Sequence, residues 1–162
     1  MPLIFYNRKT KIFFLALLAF SFFACRQLDV YEKNAMIPGF KWDYAFKPNF
    51  QFAIKDTTCE YNVFLVIRHT DAYPYNNIWL NLGIQPPGES KNTFRSEFTL
   101  GDDKKGWEGT GMNDIWELRK PISKGPIRFK KPGVYHFTLE QIMRQNPLPS
   151  VMSAGIRVER VR

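Results

Sequence analysis

At 162 residues the chain has the length of one domain, and its 15 Phe, 7 Tyr and 4 Trp exclude a disordered protein. The formal charge is +8; Arg8, Lys9 and Lys11 lie in the first 24 residues, which hold no acid, so the other 20 cations face 15 acids for a net +5. Those cations are scattered, the densest groups being Lys104-Lys105, Arg119-Lys120 and Lys130-Lys131, a pattern of solvated loops that offers at most a weak, salt-sensitive pull on anionic headgroups or glycans.

The chain opens on the parts of an export signal. Arg8, Lys9 and Lys11 form a cationic n-region, and residues 12–23 (IFFLALLAFSFF) are an uncharged run of 12. Such a run spans about 18 Å as a helix, too short for a hydrocarbon core of about 30 Å. Ala24 then precedes Cys25. A small residue before a cysteine at this point resembles a lipobox, with Phe22 standing where Leu is usual. The resemblance implies that the Cys25 thiol takes a diacylglycerol, that cleavage follows Ala24, and that the new amine is acylated. Two or more acyl chains hold a protein on a bilayer almost permanently. Export also removes the chain from nucleic acid. The expected organisation is a signal peptide at 1–24, a lipidated tether at 25–38 and a single β-sandwich domain at 39–162. Arg26-Gln27-Leu28-Asp29 carries no acidic cluster of the kind tied to surface export, which favours the periplasmic face of the outer membrane over the inner membrane or the cell surface. Cys59, left without a partner, reads as a spectator thiol.

Short strands cut by turn residues follow. Residues 49–54 put Phe50, Phe52 and Ile54 at period two. Residues 61–68 alternate Tyr61, Val63, Leu65 and Ile67 against a second face that is also partly apolar. Residues 78–84 align Ile78, Leu80, Leu82 and Ile84, and Pro86-Pro87-Gly88 predicts a hairpin to 94–100. Residues 101–113, with four glycines and Trp107, read as a long loop. Shorter strands are expected at 114–118 and 127–129, a turn at Lys131-Pro132-Gly133, and a cleanly alternating strand at 134–139. One helical turn is expected at 141–145, and a last strand at 154–161.

No helical periodicity persists over 11 residues beyond the leader, which excludes a parallel α/β fold for want of crossover helices. Strands at short intervals, with Pro and Gly between them, predict an all-β, antiparallel sandwich of jelly-roll or Greek-key type.

Several segments in one order then resemble a known family. They are Cys25 through Val30-Tyr31-Glu32, Ile37-Pro38 and Trp42; Tyr61-Asn62-Val63 with Arg68-His69-Thr70 and Tyr73-Pro74-Tyr75-Asn76-Asn77-Ile78-Trp79-Leu80; Gly106-Trp107-Glu108-Gly109; Pro132-Gly133-Val134-Tyr135; Met143-Arg144 before Leu148; and Gly155-Ile156-Arg157-Val158-Glu159. Together they resemble the GldH family of gliding-motility lipoproteins of the Bacteroidetes. The resemblance implies an envelope lipoprotein required for gliding, in machinery linked to type IX secretion. It also implies other gliding or secretion lipoproteins and membrane components as partners. It transfers no catalytic residue, and no cofactor is expected beyond the covalent lipid on Cys25.

The most unusual segment is 71–77 (DAYPYNN). Tyr73, Tyr75, Asn76 and Asn77, with Trp107 from the glycine-rich stretch, are candidate contacts for a partner protein or a glycan, because sugar C–H faces stack on aromatics and hydroxyls need amides. The alternative is a tyrosine-packed turn set by Pro74; for Trp107 it is cover for the core edge. A lipid-anchored glycan-binding module is therefore the second functional reading. Asp102, Asp103, Glu108 and Asp114 cluster in the sequence, but Lys104 and Lys105 interrupt them and the DxDxDG spacing of a calcium loop is absent. His69 and His136 do not make a zinc site with one thiol, no nucleophile elbow supports a triad, and a sandwich hydrolase ranks last.

Overall fold

The computed structural model describes residues 30–161. Its strands are β1 (Val30–Met36), β2 (Lys41–Trp42), β3 (Asn49–Ile54), β4 (Tyr61–Thr70), β5 (Asn77–Gln85), β6 (Asn92–Thr99), β7 (Gly101–Asp102), β8 (Gly106–Trp107), β9 (Thr110–Met112), β10 (Ile115–Pro121), β11 (Gly133–Gln141), β12 (Leu148–Pro149) and β13 (Val151–Arg160). Wherever apolar residues recur at period two over six or more positions, the chain is strand, because that spacing lines one face of the pleat.

Eight strands form four nested antiparallel pairs: β1 with β13, β3 with β11, β4 with β10, and β5 with β6. This is one long hairpin. Rolling it over itself adds β13 to β4 and β11 to β5, which yields one sheet of order β1-β13-β4-β10-β9 and another of order β3-β11-β5-β6. That is the jelly-roll arrangement of an antiparallel sandwich. The inward side chains of both sheets make one core, among them Val63, Leu65 and Ile67 on β4, Phe52 on β3, Leu80 on β5 and Phe137 on β11. Phe52 stacks on Tyr135 at 5.8 Å between ring centroids and reaches Tyr31 of the facing sheet at 5.5 Å. Val66 points away from this core yet is buried. Its cross-strand neighbour on β10 is Arg119, which with Arg157 reaches Glu32 on that face.

Four expectations need correction. The stretch 25–38, expected as a tether, is strand from Val30: β1 pairs with β13 from Val30–Glu159 to Met36–Ser153. Its pattern is weak because, as an edge strand, it commits only Tyr31 and Ala35 to packing against the core. The signal peptide and Cys25 lie outside the described residues. Residues 101–113 are not one loop; they hold the small β7–β8 hairpin and β9, which is paired to β10. Strands of two or three residues are too short for alternation to show. Residues 127–129 add only a bridge from Ile127 to Tyr61, with Phe129 turned into the core. Residues 141–145 form no helical turn. The buried Gln141 amide is engaged by the Trp42 carbonyl (3.2 Å) and the Met143 N–H (2.9 Å), fixing the chain in an extended course.

The sandwich has two poles. The near pole holds the start of β1, the end of β13 and the segments 55–60, 86–91 and 122–132. The far pole holds 37–48, 71–76, 100–114 and 142–150. The 10-residue β4 runs between them, about 30 Å at 3.3 Å per residue.

Candidate functional site

At the far pole, segments 71–76 and 100–107 enclose an open cleft of about 310 Å³. The first begins as a turn in which Tyr73 N–H donates to the Thr70 carbonyl (3.0 Å), while Asp71 N–H donates to the Asp114 carbonyl (2.9 Å). The Asn76 carbonyl accepts from Leu100 N–H (2.7 Å) and Gly101 N–H (3.1 Å), which staples the two segments together. Across the cleft the β7–β8 hairpin is closed by Asp102, whose Oδ1 accepts from the N–H groups of Lys104 (2.9 Å) and Lys105 (3.1 Å). Gly101 is required where it stands: a Cβ there would sit 2.8 Å from Cε3 of Trp107. Only glycine lets that indole lie down.

Of the candidate contacts, the fold brings Tyr73, Tyr75, Asn76 and Trp107 to this cleft. Asn77 is not with them; it opens β5 and its amide donates to Glu97 Oε1 at 2.5 Å. Tyr73 is a core residue at 3% exposure, its hydroxyl donating to the Asn77 carbonyl (2.9 Å). Burial, with Tyr75 beside it, pushes its pKa up, so it stays a neutral donor. Tyr75 and Trp107 are half-buried and Asn76 is exposed. Tyr75 is held by a hydrogen bond to Gln145 Oε1 (3.1 Å) and by the Arg144 guanidinium 5.6 Å from its ring centroid.

Beneath Trp107 sits His69, fully buried, with ring centroids 4.5 Å apart edge to face. Its Nδ1 lies 3.0 Å from the Thr70 carbonyl, which can only accept, so Nδ1 carries the proton. Nε2 is then a buried lone pair without a donor among the described residues. Desolvation lowers the pKa against the opposing pull of the Thr70 carbonyl and Asp71.

The remaining candidates are dispersed. Asp102 and Asp103 line the cleft, Glu108 pairs with Lys120, and Asp114 anchors Asp71 through its carbonyl. Among the described residues, no three His, Cys, Asp or Glu gather as a metal site. Arg68 pairs with Glu117 (2.6 Å), His136 faces outward on β11, and the Cys59 thiol donates to Asp56 Oδ2 (3.0 Å). Gly101, Arg144 and Gln145 were not among the candidate contacts expected from the sequence. Gly101 and Gly106 around Asp-Asp-Lys-Lys carry a hairpin signal, whereas nothing local links Arg144 to Tyr75.

Comparison with known proteins gives one consistent result. The family model described as GldH lipoprotein matches residues 29–158. The gliding motility lipoprotein GldH of Flavobacterium johnsoniae is 26% identical over 152 residues, covering 90% of this chain and 93% of that protein. A gliding motility lipoprotein GldH homolog from Christiangramia forsetii is 27% identical over 156 residues, covering 92% and 93%.

Proposed function

This chain belongs to the GldH lipoprotein family, and from that premise we propose that it is a lipid-anchored envelope protein serving gliding motility through contacts, not catalysis. The observation that carries the reading is the extent of the family match. Residues 29–158 take in both sheets and both poles, and the relatives so matched are named for gliding motility. The anchor is Cys25, bearing diacylglycerol and an N-acyl chain, on the periplasmic face of the outer membrane. Its partners are other gliding or secretion lipoproteins and membrane components of the type IX-linked machinery. Three side chains able to do chemistry support a non-catalytic role by what they already do: His69 is sealed under Trp107, Cys59 is held by Asp56, and Arg68 by Glu117.

Deleting the gene should abolish spreading on agar or block secretion. The wild-type gene should restore the phenotype and Cys25→Ala should not, with intact mass showing the acylated residue in the wild type alone. A deletion strain that spreads and secretes normally sinks the proposal.

A second reading has one observation in its favour: Tyr75 and Trp107 stand half-exposed beside Asn76, Asp102 and Asp103 in a single cleft. Aromatic faces ringed by amide and carboxylate acceptors suit a saccharide. On a glycan array, binding should be lost with Trp107→Ala and Tyr75→Ala. Unchanged binding by both variants rules the cleft out.

A further inference from the structure

We infer that the near pole of the sandwich is a membrane-facing surface that lies against anionic phospholipid headgroups. The inference rests on the anchoring of Cys25 proposed above and adds the orientation that the domain takes on its bilayer.

The first argument is reach. Val30 begins β1 at the near pole, opposite Glu159 of β13. Five residues of chain, fully extended, cover at most about 18 Å. An acylated Cys25 therefore holds this pole close to the headgroups, while the aromatic cleft stands a strand length of about 30 Å further out.

The second argument is charge. Segments 55–60, 86–91 and 122–132, with Glu159 and Arg160 at the end of β13, carry seven cations against four carboxylates. All four carboxylates are engaged, Glu60 by Arg128 (3.6 Å), Glu89 by Lys131 (2.7 Å), Asp56 by Arg160 (3.1 Å) and Glu159 by Arg157 of its own strand (2.8 Å). The first three of these pairs also tie the segments to one another, so the excess charge is collected on one surface. Lys91 is turned toward Glu140. Lys55, Lys124 and Lys130 are exposed and have no carboxylate partner among the described residues. The far pole differs: Lys41, Lys47, Lys104, Lys105 and Arg144 face six acids there. A domain with its excess positive charge on the anchored pole is attracted by a negative bilayer in one orientation and not in the other. The surface potential acts within a Debye length of about 8 Å, a distance that the short tether allows the near pole to enter.

The test uses the mature chain from residue 25 with Cys25→Ser, which keeps every core residue and removes the acyl chains. It is sedimented with vesicles of phosphatidylcholine alone and of phosphatidylcholine containing about a third phosphatidylglycerol. Binding to the anionic vesicles only, weakened by sodium chloride, is expected. A basic residue near such a surface is worth about fivefold in partitioning, so Lys55→Glu, Lys124→Glu and Lys130→Glu, which remove three such charges and add three of opposite sign, should together lower binding by at least about a hundredfold. Lys41→Glu, Lys104→Glu and Lys105→Glu make the same change in net charge at the far pole and should leave binding within a few-fold of the parent. Unaltered melting of both triple variants keeps the comparison one of surfaces. Equal losses in the two variants, or no preference for anionic vesicles, overturn the inference. If inorganic phosphate displaces the chain more than sodium chloride of the same ionic strength, the surface is a discrete phosphate site and the inference again fails. Intact mass of the native protein reports separately on the lipid, so failure of the anchor and failure of the orientation are told apart.

Discussion

At the scale of single residues, the far-pole cleft depends on one buried imidazole. His69 is fully buried between Tyr73 and Trp107, with ring centroids at 5.3 and 4.5 Å, and among the described residues its one polar contact is the Thr70 carbonyl. A proton on Nε2 would be a buried charge without a partner, so desolvation holds the folded-state pKa below the ordinary 6.5. The sign follows from proton counting. Just below pH 6.5 the unfolded chain takes up a proton on this ring and the folded chain resists, so unfolding gains protons and stability rises with pH. The contribution is full above the unfolded pKa and is lost as pH falls below it toward the depressed folded value. Melting temperature should therefore decline on acidification from about pH 6.5, and His69→Gln should flatten that decline. An unchanged slope in the variant would place the proton uptake elsewhere. Glu32 and Glu140 have pKa values already below 4.5, so their effect comes at lower pH.

At the scale of elements, β1 decides whether the N-terminal stretch is a strap or part of the roll. Its fit against β13 is close: a Cβ on Gly155 would lie 2.4 Å from the Lys33 carbonyl, so a glycine in a central strand is what lets the edge strand approach. On the outer face Glu32 receives Arg157 (2.7 Å) and Arg119 (3.6 Å). These are partly exposed pairs of modest worth; Arg119 stands directly across from the buried Val66 on β4. Removing residues 30–36 strips the pairing from β13 and takes Tyr31 off Phe52. Urea denaturation should show a loss of several kcal/mol, a large share of the roughly 5–15 kcal/mol that a domain has. A dispensable tether would show none. The elements legible in the sequence were those with enough alternating positions to declare a face: 49–54 coincides with β3, and 61–68, 78–84 and 94–100 fall within one or two residues of β4, β5 and β6. β7, β8 and β9 were not legible, since two or three residues carry no period and their pairing depends on Trp107 and Trp116 packing against Gly101 and Gly111.

At the scale of the whole molecule, the nested hairpin has a consequence for function. Consecutive long strands run in opposite directions, so the loops sort into two sets that share no residues, and each pole collects segments from the entire chain. One set carries the aromatic cleft and the other carries the start of β1. The proposed anchor beside β1 would separate the two, with the basic pole at the bilayer and the cleft pointing into the envelope space. Spreading defects in a deletion strain would report on both poles together, whereas the vesicle comparison isolates one of them.

What the amino-acid sequence determined by itself was whatever depends on near neighbours: alternation that makes strands, turns at Pro and Gly, and segment order that matches a family. What only the tertiary structure decided was which distant residues share a surface. Tyr73 looked like a contact and is core, Asn77 is turned to Glu97, and Trp107 meets His69 across 38 positions of chain. Lys55, Lys124 and Lys130 looked scattered and share a pole. The physical reason is that a period-two pattern specifies the face of a strand but not its neighbour. Pairing and register are settled by the packing of both sheets at once, and sites made of loops inherit their composition from that pairing.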